Sequence, residues 1–207
     1  MHYFTKTIAR LYDDRFIEFG PHPEASLWFS RKRQIKRFEI ISDQIVKSNL
    51  NNFSINDIGC GYGEFYTFLK SQFPASVLYY FGVDISSATI NYCKSNFNDA
   101  RAAFSVSDRP NIAADFSTMS GTFNYSPSKS FVEWNEYIFE VLNNCWKQTQ
   151  IAMVFNLQIG PQATITEQGI VYFTEEGIVD ACEKYFGNTD VIYHKTLPRD
   201  ATFYVSK

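Results

Sequence analysis

Three glycines and two acids are the residues of this chain best placed to do chemistry. Gly59, Gly61 and Gly63 alternate with Cys60 and Tyr62 in the run Asp57-Ile58-Gly59-Cys60-Gly61-Tyr62-Gly63-Glu64. So much glycine lets the backbone take positive φ. It also lets a ligand approach main-chain groups that a side chain would screen. The second acid, Asp84, follows Tyr80-Phe81-Gly82-Val83 and precedes Ile85 and Ser86. An ionised carboxylate only accepts hydrogen bonds, and one at the end of a second strand can take both hydroxyls of a ribose. The chemistry suggested is the binding of a nucleoside-type ligand.

The elements around these residues fit that use. Phe53, Ile55 and Ile58 mark an extended apolar run that ends in the glycines, and Phe65, Phe68 and Leu69 at once take up helical spacing. Strand, glycine turn and helix form the first unit of a nucleotide-binding α/β sheet, and the helix start offers unpaired N–H groups to a negatively charged group. Further strands are predicted over 77–84 and 102–106, a fourth with its exit loop over 115–124, and a fifth over 151–156, apolar enough to be buried on both faces. Helices are predicted over 86–96, behind Ser86 or Ser87 as cap, over 131–147, and from 174 to 186. Residues 158–166 read as a polar loop at the rim, and 191–195 with 202–206 as a closing hairpin. Before the first strand, Gly20-Pro21-His22-Pro23 separates one or two short helices from another that Ser30 could cap, with Ile35, Phe38, Ile41 and Ile45 on its apolar face.

The third glycine comes one residue earlier than a dinucleotide fingerprint requires, and Asp57 stands inside the motif. In this the run resembles motif I of the class I S-adenosylmethionine-dependent methyltransferases, and Asp84 stands at the matching remove. The resemblance covers about 53–206 in its order of elements. It implies a Rossmann-like three-layer α/β/α fold, with a mainly parallel seven-stranded sheet and a reversed last strand in a C-terminal hairpin. Residues 1–50 would be a helical cap and 51–207 the cofactor-binding domain. The implied cofactor is S-adenosyl-L-methionine, held by Asp57, Gly59, Cys60, Gly61, Gly63, Asp84 and Ile85. Asp108, after the third strand, would meet the adenine amino group. Ser120 and Gly121 would pass close to the sulfonium, and Arg37 could reach the methionine carboxylate. Tyr12, Trp28 and Phe123 are candidate walls of the acceptor pocket, and Asn124 and His22 are candidate catalytic groups.

The totals bound the alternatives. A chain of 207 residues buries one full core unaided. A formal charge of −3 argues against nucleic acid as the main partner. The run Arg31 to Arg37 leaves a smaller RNA or protein methyltransferase option open, although such runs are more often solvated helix faces. Cys60, Cys93, Cys145 and Cys182 are scattered, without the spacing of a zinc site or a disulfide framework. Free cysteines and an amino terminus without an apolar run suggest a cytoplasmic protein with no membrane span. The function implied is methyl transfer to a small-molecule acceptor, such as a sugar, an amino-acid derivative or a secondary metabolite. A non-catalytic cofactor-binding protein is the alternative. Nothing in the sequence specifies an oligomeric state or the atom methylated.

Overall fold

The computed structural model describes residues 3–27, 30–74 and 77–207. Helix α1 (Tyr3–Phe19) leads through a short 3-10 turn (Pro23–Ser26) to α2 (Arg31–Val46). The alternating core follows as β1 (Asn52–Ile58), α3 (Glu64–Gln72), β2 (Val77–Asp84), α4 (Ser87–Asn96), β3 (Ala102–Val106) and β4 (Ala114–Met119). It continues with α5 (Phe131–Gln148), β5 (Thr149–Gln158), the short pair β6 (Thr164–Ile165) and β7 (Val171–Tyr172), α6 (Glu175–Tyr185), β8 (Thr189–Tyr193) and β9 (Asp200–Ser206).

Seven strands form one sheet in the order β3-β2-β1-β4-β5-β9-β8. β9 runs antiparallel to both β5 and β8, and every other pairing is parallel. The predicted reversed strand of a closing hairpin is therefore present. Strand order reverses between β1 and β4, and ligands of open α/β sheets bind outside the carboxyl ends of the strands at such a switch.

Strand alternation sorts the core into two layers. On one face Ile55, Tyr80, Phe116 and Val154 pack with Phe38, Ile41 and Ile45 of α2, Phe65 and Leu69 of α3, and Ile90 of α4. On the other, Ile58, Met119, Met153 and Phe155 pack with Trp134, Ile138 and Leu142 of α5, Ile178 of α6, and Phe4 and Ile8 of α1. Helix α2 thus belongs to a sheet layer, while α1 crosses near the carboxyl end.

Helix starts follow their caps. The side chains of Ser30, Ser86, Ser130 and Thr174 each accept from the amide three residues on. Several boundaries differ from those expected: β5 is longer at both ends, and both hairpin strands start two residues earlier. The first segment is one unbroken helix. The rim loop is partly ordered as β6, because Thr164 and Ile165 pair with Tyr172 and Val171. Among the described residues, no helix is long and apolar enough to cross a membrane, and no group of His, Cys, Asp and Glu is placed to hold a metal ion.

Candidate active-site cleft

The glycine turn joins β1 to α3 and is pinned to β2, with Gly59 and Cys60 both donating to the Val83 carbonyl at 2.8 and 3.0 Å. Gly59, Gly61 and Gly63 have φ of 76°, 53° and 82°, the left-handed region that glycine enters without strain. Their surroundings differ. A Cβ at Gly59 would stand 2.7 Å from the Thr122 hydroxyl, and one at Gly63 would run into the Phe97 ring. At Gly61 the nearest atom is Ser26 Oγ at 3.5 Å. Packing therefore excludes side chains at the outer two glycines, and the middle one leaves the backbone open.

The Gly61 amide donates to Asp84 Oδ2 at 2.8 Å, and the Ser86 amide donates to Oδ1 at 2.8 Å. An ionised carboxylate has about four acceptor positions, so these bonds leave it room to accept more. Burial pushes the Asp84 carboxyl above its ordinary value, against the pull of the Ser86, Gly61 and Ile85 amides. Asp57 lies at the cleft floor, 2% exposed. It accepts from the Tyr80 hydroxyl and, at 3.2 Å, from the Thr118 hydroxyl. Burial raises its pKa to about 7, opposed by those two hydrogen bonds.

At the end of β3, Ser107 and Asp108 also line the cleft. Asp108 is forked by its neighbour Arg109 at 2.8 and 3.1 Å, and Arg109 reaches on to Glu140 at 3.0 Å. Tyr137 stands close, its hydroxyl pKa raised by burial and then by the charge of Asp108. Past β4, Ser120, Gly121 and Phe123 face the cleft, and the Gly121 amide is held by Asn156 Oδ1 at 2.7 Å.

Helix α1 closes one side. Ile8 and Tyr12 line the cleft, and Phe4 meets Trp134 and Tyr137 edge-on at centroid distances of 5.7 and 6.1 Å. Asp13 anchors the helix to the start of α4. It accepts from the Ser86 hydroxyl at 2.6 Å, the Ser87 hydroxyl at 3.3 Å and the Ala88 amide at 2.9 Å.

Of the residues singled out from the sequence, Tyr12, Asp57, Gly59, Cys60, Gly61, Asp84, Ile85, Asp108, Ser120, Gly121 and Phe123 come together around this one cleft. Four others do not line it. Gly63 is the residue before α3 and packs on Phe97. His22, a candidate base, is exposed and precedes the 3-10 turn without making a capping bond. Asn124 is turned to structural use, since its side-chain oxygen accepts from the Gln158 amide and its carbonyl from the Val171 amide, both at 3.0 Å. Arg37 is buried against Asp200 in a forked pair, with Nε to Oδ1 at 3.0 Å and a terminal nitrogen to Oδ2 at 2.7 Å. Trp28 lies outside the described residues. The basic run disperses in the same way: Arg31 pairs with Glu64 at 2.5 Å and Lys36 with Glu39, so the helix presents no continuous cationic face.

The cleft holds about 1010 Å³ of empty space out to its open mouth. Its charged lining is acidic throughout, namely Asp57, Glu64, Asp84 and Asp108, and no lysine, arginine or histidine among the described residues lines it. Among the described residues, three buried polar atoms on its wall have no hydrogen-bond partner of good geometry: Gln34 Oε1, the Tyr62 hydroxyl and Ser120 Oγ. Buried polar atoms are seldom left so, and three around one cavity mark where a polar ligand would bond. Gln34, Tyr62, Trp134 and Tyr137 escaped the sequence reading. Gln34 sits inside the basic run, where charge draws attention, and the two α5 aromatics satisfy the helical apolar period that marks a core.

No family model matches the chain. It is 28% identical over 145 residues to the Mycobacterium tuberculosis protein described as "Putative methyltransferase Rv1506c", which spans 69% of this chain and 86% of that one. Magnesium protoporphyrin IX methyltransferase (ChlM) of Synechocystis PCC 6803, crystallised with bound SAM, superposes with a TM-score of 0.68 at 10% identity, over 100% of this chain and 98% of its own. The methyltransferase domain of bacterial CtHen1 gives 0.59 at 14% identity, over 83% and 97%. The strand order and the reversed β9 described above are thus the fold of these solved methyltransferases, and the relative of 28% identity carries the same description in its name.

Proposed function

We propose that the protein transfers a methyl group from S-adenosylmethionine to a small-molecule acceptor. The observation that carries this reading is the lining of the cleft. Asp84 is held over an open Gly61 with acceptor capacity left, in a cavity whose charged lining residues are all acidic. Such a lining suits a cofactor that carries a sulfonium and an ammonium.

The residues fit the cofactor by chemistry. Asp84 would take the ribose hydroxyls, Ile85 would cover one face of the adenine, and Asp108 with Ser107 would meet its edge. Ser120, Gly121 and Phe123 would flank the sulfur. The cofactor supplies the activated methyl, transferred by direct displacement. The chain's part is to bind and align, which accounts for about 7–11 kcal/mol in well-oriented systems. Within residues 1–50, α1 serves as the roof that keeps water from the reacting atoms, and Tyr12 with Phe123 would flank the acceptor.

Two features support a small acceptor. The cleft is roofed by α1, and its lining offers no cation for a phosphate backbone. The RNA option loses support because the cations of α2 are largely paired within the chain. The test is to incubate the protein and methyl-labelled S-adenosylmethionine with separate RNA, protein and small-molecule fractions of a cell extract. Label is expected in the small-molecule fraction. Label in RNA or protein would overturn the choice of acceptor, and no transfer to any fraction would favour the non-catalytic reading.

A further inference from the structure

The side of the cleft beneath α1 is a wall of rings. Ile8 and Tyr12 of α1, Phe123 past β4, and Trp134 and Tyr137 of α5 line it and belong to one packed cluster. The Trp134 and Tyr137 rings lie 5.2 Å apart at 37°. Their polar tips are engaged elsewhere: Trp134 Nε1 donates to the Phe123 carbonyl at 3.3 Å, and the Tyr137 hydroxyl bonds with Thr5. What they offer a ligand is ring surface. Burial, then the charge of Asp84 for Tyr12 and of Asp108 for Tyr137, raises both phenols above their ordinary value, so each stays protonated at neutral pH and is a poor base. The charged residues that line the cleft are acids, and Asp57 and Asp84 among them are bonded to hydroxyls and amides rather than to cations. Ring faces and carboxylates both favour positive charge.

An alcohol or a protonated amine must give up a proton to be methylated, and a base must receive it. A ring nitrogen of the pyridine kind is unprotonated at neutral pH and attacks with its own electron pair. The N–CH3 bond forms as the C–S bond breaks, the C–S pair stays on sulfur, and the positive charge passes from sulfur to nitrogen with no proton moved. We propose that the acceptor is a flat heteroaromatic base, methylated on its ring nitrogen to a fixed cation that rests against Tyr12, Phe123, Trp134 and Tyr137. The inference rests on the methyltransferase reading of the cleft and names its substrate class. The rings and acids that suit a sulfonium suit this product as well, because the charge stays in the same cleft.

The experiment has two arms, both on the full chain. In the first, the protein and trideuteromethyl S-adenosylmethionine are incubated with the small-molecule fraction of a cell extract, and mass spectrometry picks out labelled compounds other than the cofactor. The product should stay on a strong cation exchanger at about pH 12, where ordinary amines have lost their proton. In the second, the protein saturated with S-adenosylhomocysteine is titrated with three probes of like size, N-methylpyridinium, anisole and benzoate. N-methylpyridinium should bind about tenfold more tightly than anisole, and benzoate more weakly than either. Tyr12→Leu, on the half-buried roof, should lower the preference for the cation about threefold. A labelled product that passes through the exchanger would overturn the acceptor class while leaving methyl transfer intact. So would anisole or benzoate binding as tightly as the cation, or a preference unchanged in Tyr12→Leu. No labelled product at all would overturn the reading on which the proposal rests, and the proposal with it.

Discussion

Asp84 and Asp57 are both buried acids near one glycine turn, and their surroundings give them different work. Asp84 keeps acceptor positions free beside the Gly61 and Ser86 amides. Asp84→Asn retains the shape and removes the charge, so S-adenosylmethionine should bind about tenfold to a hundredfold more weakly, the value of hydrogen bonds to a charged group. Titration calorimetry checks this, and unchanged affinity would contradict the ribose role. Asp57 is instead enclosed by Tyr80 and Thr118. Its folded pKa of about 7 lies above the ordinary 3.8, so the fold favours the protonated acid. The stability it contributes is complete below 3.8 and is lost as pH rises to about 7. Urea unfolding from about pH 4 to about pH 8 should therefore show a downward slope in wild type that is shallower in Asp57→Asn, where only the raised Asp84 carboxyl is left to contribute. Parallel slopes would contradict it. Both acids were legible from the sequence because they flank a strand end and a glycine turn. Which of the two faces the ligand was not, since that depends on Tyr80 and Thr118 reaching Asp57 from neighbouring strands.

Helix α1 shows how an element gains a role that its own pattern does not announce. Its apolar residues predict a helix, but where it lies is decided by Phe4 against Trp134 and Tyr137, and by Asp13 at the start of α4. Burial of Phe4 and Ile8 contributes about 1.5–3 kcal/mol each, more than a cap interaction of about 1 kcal/mol. Asp13→Ala is therefore expected to loosen the far end of α1 without detaching the helix. Hydrogen exchange should quicken in the second half of α1 and in the first turn of α4, with a loss of about 1–2 kcal/mol in urea unfolding. Unaltered exchange there would contradict the anchor. The exit of β4 carries the opposite lesson. Asn124 has the right chemistry and sits only a few residues past the strand end, yet the end of β5 and the β6–β7 pair recruit it, its oxygen accepting from Gln158 and its carbonyl from Val171. That pair is only two residues per strand, too short for alternation to reveal it.

Across the whole molecule, one buried polar chain ties the amino-terminal part to the antiparallel strand β9 and to the cleft. Arg37 of α2 forks onto Asp200 of β9, Asn156 of β5 donates to Asp200 at 3.1 Å, and Asn156 in turn holds the Gly121 amide. Breaking a buried pair from one side leaves an uncompensated charge and costs about 3–5 kcal/mol. Arg37→Met should destabilise by that amount in urea, and Arg37→Met with Asp200→Leu by less. A loss no larger than a surface substitution gives, about 0.5 kcal/mol, would contradict the pairing. The succession of strands and helices could be anticipated because strand periods, caps and the glycine turn are local signals, while the seven-stranded sheet was implied by the resemblance. The Arg37–Asp200 pair spans 163 positions and leaves no local trace, which is why a cation near the motif invited a ligand role. These features surround one cleft, over Gly61 and beside Asp84, whose expected occupant is an adenosyl cofactor. Calorimetric titration of the folded protein with S-adenosylmethionine tests it most directly. The account predicts saturable binding at one site per chain, displaced by S-adenosylhomocysteine and untouched by a nicotinamide dinucleotide; no binding, or displacement by the dinucleotide, would contradict it.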